Sequence, residues 1–256
     1  MDKIKIEEKI KDIDLVFRQV LSDFSKKENI QLGLLSGLSG ICLSCVVSVK
    51  ERPTQRHKEQ LLQIITIIFS RINDKESFPA ATYGNGIQGT AWLINYMNEL
   101  LPSNEYCETL RAIDLLAFKS AKKCIKNENL DFLYGSFGDM FYLNERIVLG
   151  KTEGYLSELV NVIAEKSKTD GDGVYWYDNF EWSKNNPQNE IINLSLSHGH
   201  ASKITVLAKI ANSIGYTSEL KVLIEGSVNF LLSFKNRNAD GWFPSFIRDN
   251  VPEYNS

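Results

Sequence analysis

The chain has 256 residues, 43% of them hydrophobic, enough to bury a large core in one compact domain. A net charge of −3 and a pI near 5.7 supply no basic field for nucleic acid or anionic lipid. Four cysteines, at 42, 45, 107 and 124, follow no disulfide framework, and the N-terminus mixes charges where a signal peptide needs an apolar run, so a reducing cytoplasm is expected.

From Ile4 to Phe24 apolar residues fall on one helical stripe with charges opposite, which predicts an amphipathic helix. The next stretch, Ile30 to Val49, carries no charged residue and is long enough to span a bilayer. Its serines, Gln31, Gly33, Gly37 and Gly40 suit a helix buried among other helices better than one facing lipid. The same pairing recurs down the chain. His57–Ile72 reads as an amphipathic helix, and Tyr83–Thr90 leads into a buried one over Ala91–Met97. Tyr106–Ile125 is amphipathic, with Lys119, Lys122, Lys123 and Lys126 on its wet face, and Asp131–Gly138 leads into Asp139–Leu143. Tyr155–Ala164 and the segment after His198 make a fourth pair, and Glu219–Phe234 is a fifth helix of the outer type.

Aligned on their glycines, the buried segments begin Gly37-x-x-Gly40, Gly86-x-x-Gly89, Gly135-x-x-Gly138 and Gly199-x-x-Ser202, with first glycines 49, 49 and 64 residues apart. A polar and aromatic insert, Lys168 to Ile191, absorbs the longer interval. The pattern predicts helical hairpins, buried helices inside and amphipathic ones outside, closing into a ring or a solenoid. Without side chains, the first turn of each inner helix would pack closely on its neighbours and aim backbone N–H groups inward.

Two of the three histidines stand at the fourth entrance, Asn193-Leu-Ser-Leu-Ser-His198-Gly-His200. Ser197 is the expected cap, and Ile204, Leu207, Ala208 and Ala211 recur at helical spacing, so His198 should sit at the positive end of a buried helix, a setting suited to proton transfer. A structural histidine bonded to a neighbouring loop is the other reading.

These residues resemble the lanthionine synthetase C family, the cyclases of lanthipeptide biosynthesis. The matching pieces are Gly-Leu-Ser-Gly at 37–40, Gly-Ile-Gln-Gly at 86–89, Asp131-Phe-Leu-Tyr-Gly-Ser-Phe-Gly138 and Asn193-Leu-Ser-Leu-Ser-His-Gly199. The resemblance implies an all-α fold, an α/α toroid of which this chain supplies about four to five of the seven hairpins as a single, C-terminally incomplete domain over 1–256. It implies addition of a peptide cysteine thiol across dehydroalanine or dehydrobutyrine, forming a thioether. Zinc favours the thiolate, and a histidine and an aspartate manage the protons. The matching positions are His198 as acid/base and Asp131 as its carboxylate companion. A dehydrated precursor peptide and a lanthipeptide dehydratase are the implied partners.

The family's zinc ligands follow a region resembling Gly241-Trp242-Phe243-Pro244, and this sequence stops at Ser256 before either ligand segment. No zinc ligand and no catalytic arginine is therefore carried onto it, Arg248 included. The expectation is a chain that alone neither holds stoichiometric zinc nor cyclises peptide, and that self-associates through an open edge of the toroid. Ser202, where the family often has glycine, is expected to crowd the fourth entrance.

Other groups have competing readings. Cys42-x-x-Cys45 is half a metal site or a pair of small core residues, and His198-x-His200 lacks a companion ligand. Asp170-Gly-Asp172-Gly173 resembles a calcium loop without the closing glutamate, so a solvated turn is expected. Tyr175, Trp176, Tyr177, Phe180 and Trp182 either line a peptide or sugar groove or anchor the insert. Two further functions stay open: a carbohydrate-active hydrolase using Asp131 and Asp178, and a noncatalytic peptide-binding remnant.

Overall fold

The computed structural model describes residues 15, 19, 22, 31–51, 54–73, 81–98, 103–178, 191–236 and 242–254. They fall into two compact units, Met1–Pro79 and Ala80–Ser256. The helix expected over 4–24 lies outside the described residues apart from three positions.

In the first unit α1 (Leu38–Glu51) and α2 (Gln55–Asn73) pack on one another. Leu38, Cys42, Cys45 and Val46 form the buried side of α1, and burial pushes the Cys42 thiol up, so these cysteines are small core residues. Thr54 Oγ1 accepts the His57 N–H at 3.1 Å, which starts α2 two residues ahead of its apolar pattern. No helix among the described residues is long and apolar enough to cross a membrane.

The second unit holds α3 (Ile87–Asn98), α4 (Asn104–Lys126), α5 (Ser136–Glu145), the single turn α6 (Ile147–Gly150), α7 (Glu153–Lys166), α8 (His200–Ile214) and α9 (Ser218–Ser233). Helix types alternate as the periodicity predicts. In α4, Leu110, Ile113, Ala117, Ala121 and Ile125 are buried while the four lysines face water. In α5 nearly every side chain is buried, because α3, α4, α7 and α8 all pack against it.

A polar knot ties three of these helices. Arg146 is 2% exposed and grips Asp114 of α4 through Nε at 3.0 Å and Nη2 at 3.1 Å, while Nη1 reaches Asn95 of α3 at 2.8 Å. Tyr142 of α5 donates to the same carboxylate at 2.7 Å, so the buried charge is paired and hydrogen-bonded on every side.

Short strands occupy the segment between α7 and α8 and the stretch after α9, an addition to the all-helical expectation. β1 (Lys168–Asp170) and β2 (Gly173–Tyr175) form a hairpin around Gly171, whose φ of +54° fits a tight turn. Asp170 and Asp172 are exposed there, as a solvated turn requires. The hairpin lies on α9: Val174 meets Gly226 where no Cβ would fit, and Tyr175 stacks on Phe230 with centroids 4.7 Å apart. Trp176, 1% exposed, donates Nε1 to the Ile163 carbonyl at 3.1 Å. These rings therefore anchor the insert; Phe180 and Trp182 lie outside the described residues. β3 (Ile191–Asn193), β4 (Phe246–Arg248) and β5 (Val251–Glu253) make an antiparallel sheet with Asn193 opposite Phe246. Strands of three residues are too short to show alternation, which is why the sequence pattern does not reveal them.

Candidate active site

The first, third and fourth entrance loops fold back over their own first glycines. A Cβ on Gly37, Gly135 or Gly199 would overlap the carbonyl six residues earlier, that of Gln31, Asn129 or Asn193. The second glycine repeats the device, with Gly40 under the Leu34 carbonyl and Gly138 under that of Phe132. The glycines are thus required by the loop's own backbone rather than by a neighbouring helix. The N–H groups just beyond are spent on these loops: Leu38 donates to the Gln31 carbonyl at 2.9 Å and Ser136 to that of Asn129 at 3.1 Å. At the fourth entrance Ser202 is accommodated, buried with its Oγ donating to the Gly199 carbonyl at 2.6 Å.

This folding carries Asp131 and His198, 67 residues apart, to a 2.8 Å contact between Oδ2 and Nδ1. The Asp131 side chain is 1% exposed and that of His198 is 34% exposed, so the carboxylate lies behind the imidazole and solvent reaches the ring. Burial raises the Asp131 carboxyl above its ordinary value, opposed by the Tyr134 N–H, bonded to Oδ1 at 2.6 Å, and by His198. Tyr134 lies nearly parallel to the imidazole, centroids 5.9 Å apart at 21°.

His198 precedes α8 rather than opening it. Gly199 is the cap, without a side-chain bond, and the expected cap Ser197 is exposed. The His198 N–H instead meets Ser195 Oγ at 3.2 Å, and the Ser195 N–H meets Asn193 Oδ1 at 2.8 Å. Behind them, the Asn193 N–H donates to Asp178 Oδ2 at 2.7 Å, and Asp178 Oδ1 is paired with Lys203 Nζ at 2.5 Å. Both members of that pair are buried; burial raises the Asp178 carboxyl, with the Lys203 ammonium pulling it back. Leu194 also donates to the Ser245 carbonyl at 3.0 Å, so the β3–β4 pairing fixes the same loop. With each oxygen of Asp178 bonded and the residue 5% exposed, it is unsuited to the acid/base role of the hydrolase reading.

His200 takes a different environment. It is fully buried, its Nε2 meets the Ser227 carbonyl at 3.0 Å, and it contacts the Trp176 and Phe230 rings. Burial, and then Lys203, push its pKa down to about 3, so it is a neutral core residue. His198-x-His200 is therefore no chelating pair. Among the described residues no group of three or more His, Cys, Asp or Glu side chains is placed to hold a metal ion, so these residues do not fit the zinc that the resemblance implies.

Sequence reasoning singled out the carboxylate and the imidazole but missed Tyr134 and Lys203. Both carried signals. Tyr134 stands immediately before its glycine, as His198 does, and Lys203 is a lone charge on the apolar stripe of a buried helix.

The chain resembles nisin cyclase in structure, with a TM-score of 0.72 at 18% identity, covering 89% of this chain and 59% of that one. It therefore shares that fold, the all-α toroid class expected from the sequence, while spanning less than two thirds of its relative's length. No curated protein matches. The family model described as lanthionine synthetase C-like protein matches residues 29–253, and with this span covering most of its length the chain belongs to the lanthionine synthetase C-like family.

Proposed function

We propose that this chain carries the acid/base pair of a lanthipeptide cyclase, which adds a peptide cysteine thiol to dehydroalanine or dehydrobutyrine. The supporting observation is the Asp131–His198 contact, built from two entrance loops with the carboxylate buried and the imidazole reachable. Asp131 commits Nδ1, orients the ring and offsets charge on it, which assigns proton transfer to Nε2. In the reaction the sulfur bonds to the β-carbon, the alkene pair moves onto the α-carbon and its carbonyl, and the proton lost by the thiol is matched by one gained at the α-carbon. Mass is unchanged.

In this reading zinc is held by ligands outside the described residues and would favour the thiolate form of the incoming cysteine. The reading also takes 1–256 as part of one domain, a dehydrated precursor peptide as substrate, a lanthipeptide dehydratase as partner and the reducing cytoplasm as location. An uncovered edge of the helical array would show as concentration-dependent self-association in sedimentation.

Metal analysis and a free-thiol assay at constant mass test it. The purified 256-residue chain should carry well under one zinc per chain and consume no thiol from a dehydrated peptide. With a zinc-bearing polypeptide that completes the site, thiol loss should appear, and His198→Gln should slow it by about 100-fold or more. Turnover by the metal-free chain alone, or full turnover by His198→Gln, overturns the reading.

A further inference from the structure

The residues immediately before the first glycine at the second, third and fourth entrances are Asn85, Tyr134 and His198. Their side chains touch in that order. Asn85 Nδ2 donates to the Tyr134 hydroxyl in a long bond of 3.5 Å across 49 residues, and Tyr134 in turn stacks on His198. One repeat position thus generates a continuous row along neighbouring loops.

Asp131 joins the row from behind. Its Oδ1 accepts the Tyr134 N–H at 2.6 Å while Oδ2 meets His198 Nδ1 at 2.8 Å, so one buried carboxylate fixes both the tyrosine backbone and the edge of the imidazole. An edge contact by itself does not set the tilt of a ring about the Nδ1–oxygen line. A parallel aromatic face removes that freedom, since tilting would break the stack or drive the rings together. Tyr134 is 41% exposed, so its ring is not held by core packing. Its ring is placed by Asn85 at its hydroxyl and by Gly84, where an added Cβ would come within 3.2 Å of the ring.

We propose that Tyr134, steered by Asn85, is a positioning residue that sets the plane of the His198 imidazole and so the aim of Nε2. This rests on the proposed function for its consequence in turnover, but not for its geometry. Misaiming an acid/base group lowers the rate of the proton-transfer step without altering how peptide is held elsewhere.

NMR on the 256-residue chain, with His57 and His200 as internal controls, tests the geometry. Tyr134→Ala should move the His198 ring protons downfield by removing the ring current, and should leave the controls in place. Tyr134→Phe should retain the His198 shifts, and Asn85→Ala should give an intermediate displacement. Tyr134→Leu, which keeps bulk without a π face, should behave as Tyr134→Ala. In the zinc-completed cyclisation assay Tyr134→Ala should lower kcat about three- to tenfold with peptide KM unchanged, and Tyr134→Phe should restore most of it. Unmoved His198 resonances in both Tyr134→Ala and Tyr134→Leu overturn the proposal even if His198→Gln abolishes turnover. Unchanged His198 resonances in Asn85→Ala, which keeps the Tyr134 ring, overturn the steering by Asn85, and displaced resonances there with full turnover in His198→Gln would instead sink the proposed function alone.

Discussion

In the loop ahead of α5, Asn129 Nδ2 reaches the Tyr134 carbonyl at 3.0 Å and Asp131 accepts the Tyr134 N–H, so bonds within six residues close the turn. In the loop ahead of α8, Asn193 plays the corresponding part toward Ser195, but the loop is also secured by Asp178, itself paired with Lys203 of α8, and by β4, both Asp178 and β4 being distant in sequence. The contrast continues one turn further on. Asp139 and Lys203 both stand four residues after their first glycine and both are buried. Burial pushes the Asp139 carboxyl well above its ordinary value, with Ser120 opposing. Lys203 instead meets Asp178 Oδ1 at 2.5 Å. One backbone plan thus accepts a buried carboxyl at one entrance and, at the corresponding position of another, a lysine bonded to a partner from the insert.

The largest expected effect breaks the second arrangement. Lys203→Met leaves Asp178 buried without its cation and should cost about 3–5 kcal/mol in denaturant unfolding. That loss should shrink as the pH is lowered and Asp178 takes up a proton. Asp139→Asn, at the corresponding position of α5, should have the opposite sign. A raised carboxyl pKa means the unfolded chain loses its proton first as pH rises, so this side chain weakens the fold above about pH 4. The variant should be more stable than the parent at pH 7 and equal to it in acid, as read from melting temperatures across pH.

Gly135→Ala and Gly199→Ala test the shared plan and should each cost about 1–3 kcal/mol, because in each a carbonyl occupies the place of the new Cβ. Gly154→Ala, where a Cβ meets nothing within 4 Å, is the control and should be neutral or slightly stabilising. His200 separates the core histidine from its neighbour at the site. With its folded pKa near 3, the unfolded chain binds the extra proton first, so stability should fall by about 1.4 kcal/mol per pH unit below about 6.5. His200→Phe should flatten that acid limb, and its failure to do so would mean another group controls it. Smallest is the loss of the loop asparagines: Asn129→Ala and Asn193→Ala should each cost about 1 kcal/mol. A larger loss at 193 than at 129 would show that the long-range support depends on the local turn.

The periodicity of apolar residues determined which helices are buried and which face water, since a helix hidden on most sides cannot carry charges around its circumference. The glycine register determined more. It placed Asp131 and His198 in comparable loops, because each of these loops covers its glycine in the same way, and it placed Asn85 and Tyr134 at one repeat position with His198. Only the tertiary structure decided that His200, two residues beyond the His198 that the resemblance singled out, enters the core instead of joining the site. That choice depends on the β3–β4 pairing and the Asp178–Lys203 bond, contacts between segments with no common spacing in the chain. Local sequence fixes a turn through bonds a few residues long, whereas the aim of a side chain at its rim follows from whatever distant segment packs behind it.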